Sequence, residues 1–262
     1  MEKLKFLTMR CWRNVVDDNR YRIRKLEKGY LDFIVRSLNQ DIPRLLEGLN
    51  SRIKILNDWK DQFLRTARRG YQASDLKDGA QRIFHHFFAP FFKFPNSCPI
   101  GSDLMYETPE AVIHIEVKTC LTTNPADYKG KVPLERNQLS YKQHSFSPNL
   151  PSIYQSINKP TLTYAIQIIH EHMRPEIKAL NVICIPNGQL SKYYPNVLQA
   201  GKGGWYKATN VRYRYIAEPR FVLLSKQFNT DIYRIEILLL KKGFTIKKLT
   251  GKNLPLKPHN VI

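Results

Sequence analysis

Asp103, Glu116 and Lys118 are residues whose types and spacing can do chemistry together. They lie in the stretch from Ile100 to Cys120, IGSDLMYETPEAVIHIEVKTC. This stretch predicts two short apolar strands joined by a tight turn at Glu107-Thr108-Pro109-Glu110. With those four residues as the loop, Asp103 falls opposite His114. Strand side chains alternate, so Val112, His114, Glu116 and Lys118 share one side while Ala111, Ile113, Ile115 and Val117 share the other. Asp103 then stands on the Glu116 side, diagonal to it at roughly 7–8 Å. Two carboxylates at that separation can share a divalent cation, with the ammonium of Lys118 beside them. An ordinary amphipathic strand with a solvated Glu and Lys would show the same alternation.

The elements that must position these residues are legible in part. Tyr30, Leu31, Ile34, Val35 and Leu38 recur at helical spacing, followed by Ile42, Leu45, Leu46, Leu49, Ile53 and Leu56. Pro43 suits the first turn of a second helix after Asp41. Residues 1–72 are therefore expected as an N-terminal helical region, and 73–262 as the core that carries the site. Ser74 is the expected N-cap of a helix running to about Ala89, with Leu76, Ala80, Ile83, Phe84 and Phe87 on its apolar face. Asp75 and Asp78 in its first turn complement the helix dipole. His85 and His86 are adjacent, point apart on a helix, and make no metal pair. After Cys120 the expectation is a polar connection from Leu121 to Lys131, a short helix from Pro133 to Lys142, and a loop over residues 143–160. Leu162–His172 and Ala179–Pro186 read as further strands, the second apolar on both faces as in the centre of a mixed sheet. His170 and His172 share one strand face, but with no third ligand nearby they read as surface or DNA-facing residues. Ile232–Leu240 reads as the last core strand, and the residues from Lys241 onward as a basic tail.

Charge narrows the partners. Lys and Arg number 42 against 22 acids, a formal net charge of +20 in 262 residues. Such an excess repels itself unless a polyanion offsets it, which points to nucleic acid. No apolar run reaches the ~20 residues of a membrane span, and the start lacks the apolar segment of a signal peptide. Cys11, Cys98, Cys120 and Cys184 are far apart, which suggests neither a zinc knot nor a disulfide framework. A reduced, cytoplasmic protein is expected, with no membrane partner. The most basic aromatic stretch, QAGKGGWYKATNVRYRYIAEPR, runs from Gln199 to Arg220. Lys202 and Lys207 flank Trp205 and Tyr206. Arg212 and Arg214 share a strand face, and paired arginines can read guanine in the major groove. Outward arginines on an edge strand kept for solubility would look alike.

Asp103 followed by Glu116-Val117-Lys118 after 13 positions resembles the PD-(D/E)xK nuclease core. Gly101-Ser102-Asp103 stands where Pro-Asp is common in that family, with Pro99 close by. The order of elements makes a type II restriction endonuclease the nearest likeness, over roughly residues 74–240. The resemblance implies an α/β fold, a restriction-endonuclease-like core with a central mixed β-sheet flanked by helices. It implies that Asp103, Glu116 and the Val117 carbonyl hold Mg2+, and that Lys118 orients or deprotonates the attacking water. Asp75 or Asp78 could add a further acid. Asn137 and Gln138 are expected near the site or a phosphate, and Arg136, Lys142, Lys202, Lys207, Arg212 and Arg214 on the DNA. The implied reaction is sequence-specific hydrolysis of double-stranded DNA to 5′-phosphate and 3′-hydroxyl ends, by a homodimer in a prokaryotic cytoplasm. No Gly-x-x-x-x-Gly-Lys-Ser/Thr loop is present, so no NTP is expected. Two other readings stay open: a structure-specific repair or recombination nuclease of the same fold, and a non-catalytic basic DNA- or RNA-binding protein.

Overall fold

In the computed structural model the described residues are 2–50, 73–92, 96–97, 102–134, 139–142, 145–148, 153–154, 158–171, 176–187, 198–199, 212–216 and 232–262. The fold is α/β. Helix α1 spans Glu2–Asn39, α2 Ile42–Asn50 and α3 Ala73–Phe88. The Asp41 carboxylate accepts the Arg44 N–H at 3.0 Å and thus caps α2, with Pro43 in the first turn where its missing N–H costs nothing. The main sheet follows the order β1 (Asn96–Ser97), β2 (Leu104–Glu107), β3 (Val112–Leu121), β8 (Lys159–His170), β9 (Ile177–Ile185), β12 (Ile235–Leu240) and β13 (Pro258–Val261), with β7 (Ile153–Tyr154) beside β8. It is mixed: β3 runs parallel to β8 and β12 to β13, while β9 is antiparallel to both its neighbours.

One face of this sheet is covered by helices. Leu31, Ile34 and Leu38 of α1, Leu45 and Leu49 of α2, and Ala80, Ile83, Phe84 and Phe88 of α3 pack on Ile113, Ile115, Val117, Tyr164, Ile166 and Val182. Burial of this order is worth about 1.5–3 kcal/mol for each large apolar side chain. A buried ion pair fixes α1 to the strands. Arg234 Nη1 donates to Glu27 Oε2 at 2.7 Å and the Asn187 N–H donates to Glu27 Oε1 at 2.7 Å, while the Tyr164 hydroxyl donates to the Glu27 carbonyl at 2.9 Å. The opposite face is covered by a small sheet, β10 (Leu198–Gln199), β11 (Arg212–Tyr213) and β4 (Val132–Pro133), and by the short helices α4 (Pro125–Tyr128) and α5 (Ile246–Thr250).

Several expectations are corrected. The hairpin register is two residues away from the expected one: Glu107 pairs with Val112 and Met105 with His114. Thr108 is the reason. Its hydroxyl donates to the Ala111 carbonyl at 2.9 Å and accepts the Ala111 N–H at 3.0 Å, so the turn closes at Thr108–Ala111 and Glu107 stays in the strand. A shift of two keeps every side chain on its expected face, and Asp103 now stands level with Glu116. The segment expected as a helix from Pro133 holds strand residues instead. Val132–Pro133 pairs with β11, and β5 (Leu139–Lys142) pairs with β6 (Ser145–Pro148). The Leu-Ser-Tyr-Lys alternation suits a strand. The presumed loop 143–160 thus contains β6, β7 and the start of β8. His170 is not at the surface; it is buried, with Nδ1 2.8 Å from the Glu171 carbonyl. The residues after Lys241 are not a tail, since they form α5 and then β13, which adds a strand beyond β12.

Candidate active site

The site is built where β2 begins, beside the middle of β3. Asp103 follows directly on the ladder: its N–H donates to the Ile115 carbonyl at 3.2 Å, and its Oδ2 accepts the Val117 N–H at 2.8 Å. Val117 points into the helical core. Its neighbours Glu116 and Lys118 therefore point to the other face, where Lys118 Nζ donates to Glu116 Oε1. Both are buried, at 1% and 3% exposure. Ions so far from water need mutual compensation, because the desolvation penalty is several kcal/mol per ion. The three residues singled out by spacing are brought together here.

The row around them is polar in a way the sequence reading missed. β3 and β8 run in parallel register, Glu116 beside Ala165 and Lys118 beside Gln167. The Gln167 amide donates to the Asp127 carbonyl at 3.0 Å and to the Lys131 carbonyl at 2.8 Å. Asn181 of β9 donates to Gln167 Oε1 at 3.2 Å. The signal for both was a lone amide inside an apolar strand, Gln167 in TYAIQIIH and Asn181 in ALNVICIP. His114, on the same face, is fully buried, and burial pushes its pKa down to about 4, which keeps the imidazole neutral. Cys120 further along has its thiol pushed up to about 12 by burial.

The donor set fits a hard cation. Two carboxylates from adjacent strands, plus backbone oxygen and water, is the kind of incomplete oxygen cage that Mg2+ accepts, since it takes its remaining ligands from water and substrate phosphate. Among the described residues no group of three or more His, Cys, Asp or Glu is gathered for a metal. Asp75 and Asp78 lie in α3, but their side chains are outside the described residues.

Of the expected DNA contacts, Arg212 and Arg214 flank the buried Tyr213 on and beside β11. Arg212 grips Asp127, with Nη2 and Nε at 2.6 and 2.8 Å from Oδ1. Arg136, Asn137, Gln138, Lys202, Lys207 and His172 lie outside the described residues, as does the side chain of Lys142. No helix among the described residues is long and apolar enough to cross a membrane.

Residues 20–174 match the family model of the type II restriction enzyme MwoI, N-terminal domain. No curated protein matches the chain. Among solved structures, the restriction endonuclease BglI bound to its DNA recognition sequence superposes with a TM-score of 0.54 at 14% identity, over 88% of this chain and 95% of that one. It shares the fold. Tetrameric SfiI bound to cognate DNA superposes with a TM-score of 0.48 at 15% identity, over 74% of this chain and 79% of that one.

Proposed function

The chain belongs to the family of the type II restriction enzyme MwoI N-terminal domain and is a restriction endonuclease; we propose that it cuts double-stranded DNA with Mg2+ at the PD-(D/E)xK-type site of Asp103, Glu116 and Lys118. The observation that supports this most is the bond from the Val117 N–H to Asp103, made at the residue that separates Glu116 from Lys118, which meet on the other face of the strand. Asp103, Glu116 and the Val117 carbonyl would hold Mg2+. When bound, that ion stabilises the negative charge that builds on the phosphate and the leaving oxygen.

The chain's own groups do the rest. Lys118 donates an N–H to the attacking water and favours its deprotonation by the nearby positive charge. Burial of Glu116 and Lys118 excludes bulk water, which strengthens each electrostatic contact. Attack at phosphorus with departure of the 3′ oxygen leaves 5′-phosphate and 3′-hydroxyl ends. One such site cuts one strand, so a homodimer is the arrangement proposed for cutting both. The basic surface would bind the DNA backbone, in a prokaryotic cytoplasm.

Digestion of a plasmid with and without Mg2+, with the fragment ends sequenced, tests the reading. Discrete Mg2+-dependent bands with 5′-phosphate ends are expected. A smear or cuts confined to junctions would mean a structure-specific nuclease, and intact DNA would leave a binding protein.

A further inference from the structure

Alternate side chains of the small sheet point in opposite directions. Val132, Tyr213 and Tyr215 go inward, into the cluster that holds Ala165, Ile183 and Ile235. Lys131, Arg212 and Arg214 go the other way and are half-buried. The antiparallel register runs Arg212 with Pro133 and Tyr213 with Val132, so its next step sets Arg214 opposite Lys131, with Arg212 diagonal to it. Like charges directly across two strands destabilise a sheet. Asp127 pairs with Arg212 and its charge also partly offsets the repulsion at Lys131, but neither Lys131 nor Arg214 forms an ion pair among the described residues. The Lys131 ammonium is held below the usual lysine range, first by burial and then by Arg212 and Arg214.

The backbone that carries Lys131 is pinned. The Lys131 carbonyl is bonded by Gln167 at 2.8 Å and its N–H donates to the Tyr128 carbonyl at 3.2 Å. Gly130 before it has φ +66°, and a Cβ there would meet Ile216 at 2.3 Å and the Thr250 carbonyl at 2.7 Å. The turn is therefore close-packed and left-handed, and it fixes where Lys131 starts. A repulsion built into a pinned turn is relieved by an anion seated between the two cations.

We propose that Lys131 and Arg214 clamp one backbone phosphate of the bound DNA. A base edge carries no net charge and would leave the repulsion standing, whereas a phosphodiester brings one negative charge. Arg212, held by Asp127, adds to the field and does not read a base. This inference rests on the endonuclease reading and adds the class of contact made by this face.

Binding of a short random-sequence duplex, measured without Mg2+ over a range of salt, tests it. Lys131→Ala and Arg214→Ala should each flatten the slope of log affinity against log salt, and the double variant should flatten it by about 0.9, the share of one phosphate, equally on random DNA and on the cognate duplex identified by digestion. Arg214→Lys should keep the wild-type slope. Unchanged slopes in both alanine variants, while the wild type binds and cuts, would remove the clamp and leave the endonuclease reading in place. A loss confined to the cognate duplex would make this a base contact and overturn the inference. A wild type that neither binds nor cuts would end both.

Discussion

Asp103 Oδ2 accepts the backbone N–H of Val117 at 2.8 Å, so an acid just before β2 is fastened to the residue that separates Glu116 from Lys118 on β3. Main chain at this point thus orients a carboxylate as a second-strand side chain. A carboxylate oxygen has lone pairs for both an N–H and a cation, so the bond leaves the group free for the metal-binding role proposed for it. Charge-assisted bonds of this kind contribute about 1.5–3 kcal/mol.

Asp103→Asn and Asp103→Ala separate those two roles. The amide keeps an acceptor for Val117 but brings no charge to a metal; alanine brings neither. Both variants should lose Mg2+-dependent cleavage in single-turnover assays. Urea unfolding should show Asp103→Ala less stable by about 1.5–3 kcal/mol, with Asp103→Asn near the wild type. Cleavage at wild-type rate by either variant would exclude Asp103 as a metal ligand.

Lys118→Met leaves Glu116 buried without the ammonium that touches it. Breaking a buried pair in this way costs about 3–5 kcal/mol. Ca2+ should restore more stability to this variant than it adds to the wild type, because a cation at Glu116 replaces the missing charge. Thermal melts with and without Ca2+ measure the difference. Equal gains in both proteins would mean that the divalent ion does not sit at Glu116.

How far the sequence showed this site depends on the range of each interaction. Glu116 and Lys118 were legible because two-residue alternation is local, and α2 because Asp41 and Pro43 mark its start. The hairpin register was not, because one Thr108 hydroxyl moves the turn. The Leu139–Lys142 strand was missed because Pro133 followed by polar residues resembles a helix start. Gln167 acquires meaning only once β3 and β8 lie in parallel register, 47 residues separating it from the neighbouring Cys120 thiol. The place of β13 depends on pairing with β12, which no local pattern announces.

The Glu27–Arg234 pair joins residues 207 positions apart. Glu27→Gln and Arg234→Met should each destabilise by about 3–5 kcal/mol, because each leaves a buried charge behind. The double variant should cost less than the sum, with a coupling of about 0.5–3 kcal/mol. Urea unfolding of the four proteins gives the coupling directly. Strict additivity would mean that the two side chains act separately.

Gln167, beside Lys118 in the main sheet, links that sheet to the segment that leads into the basic small sheet. Its amide holds the Asp127 and Lys131 carbonyls, and Asp127 in turn holds Arg212. Gln167→Leu keeps the bulk and removes the bonds to both carbonyls, together with the one accepted from Asn181. Stranded buried acceptors cost about 1–3 kcal/mol each, so the melting temperature should fall. The distinctive result lies in function: DNA affinity should drop as Lys131 and Arg212 lose their support, while the Mg2+ concentration needed for half-maximal cleavage stays the same, because Asp103 and Glu116 are untouched. A changed Mg2+ requirement with unchanged DNA affinity would reverse the assignment and make Gln167 a partner of Lys118 in the chemistry.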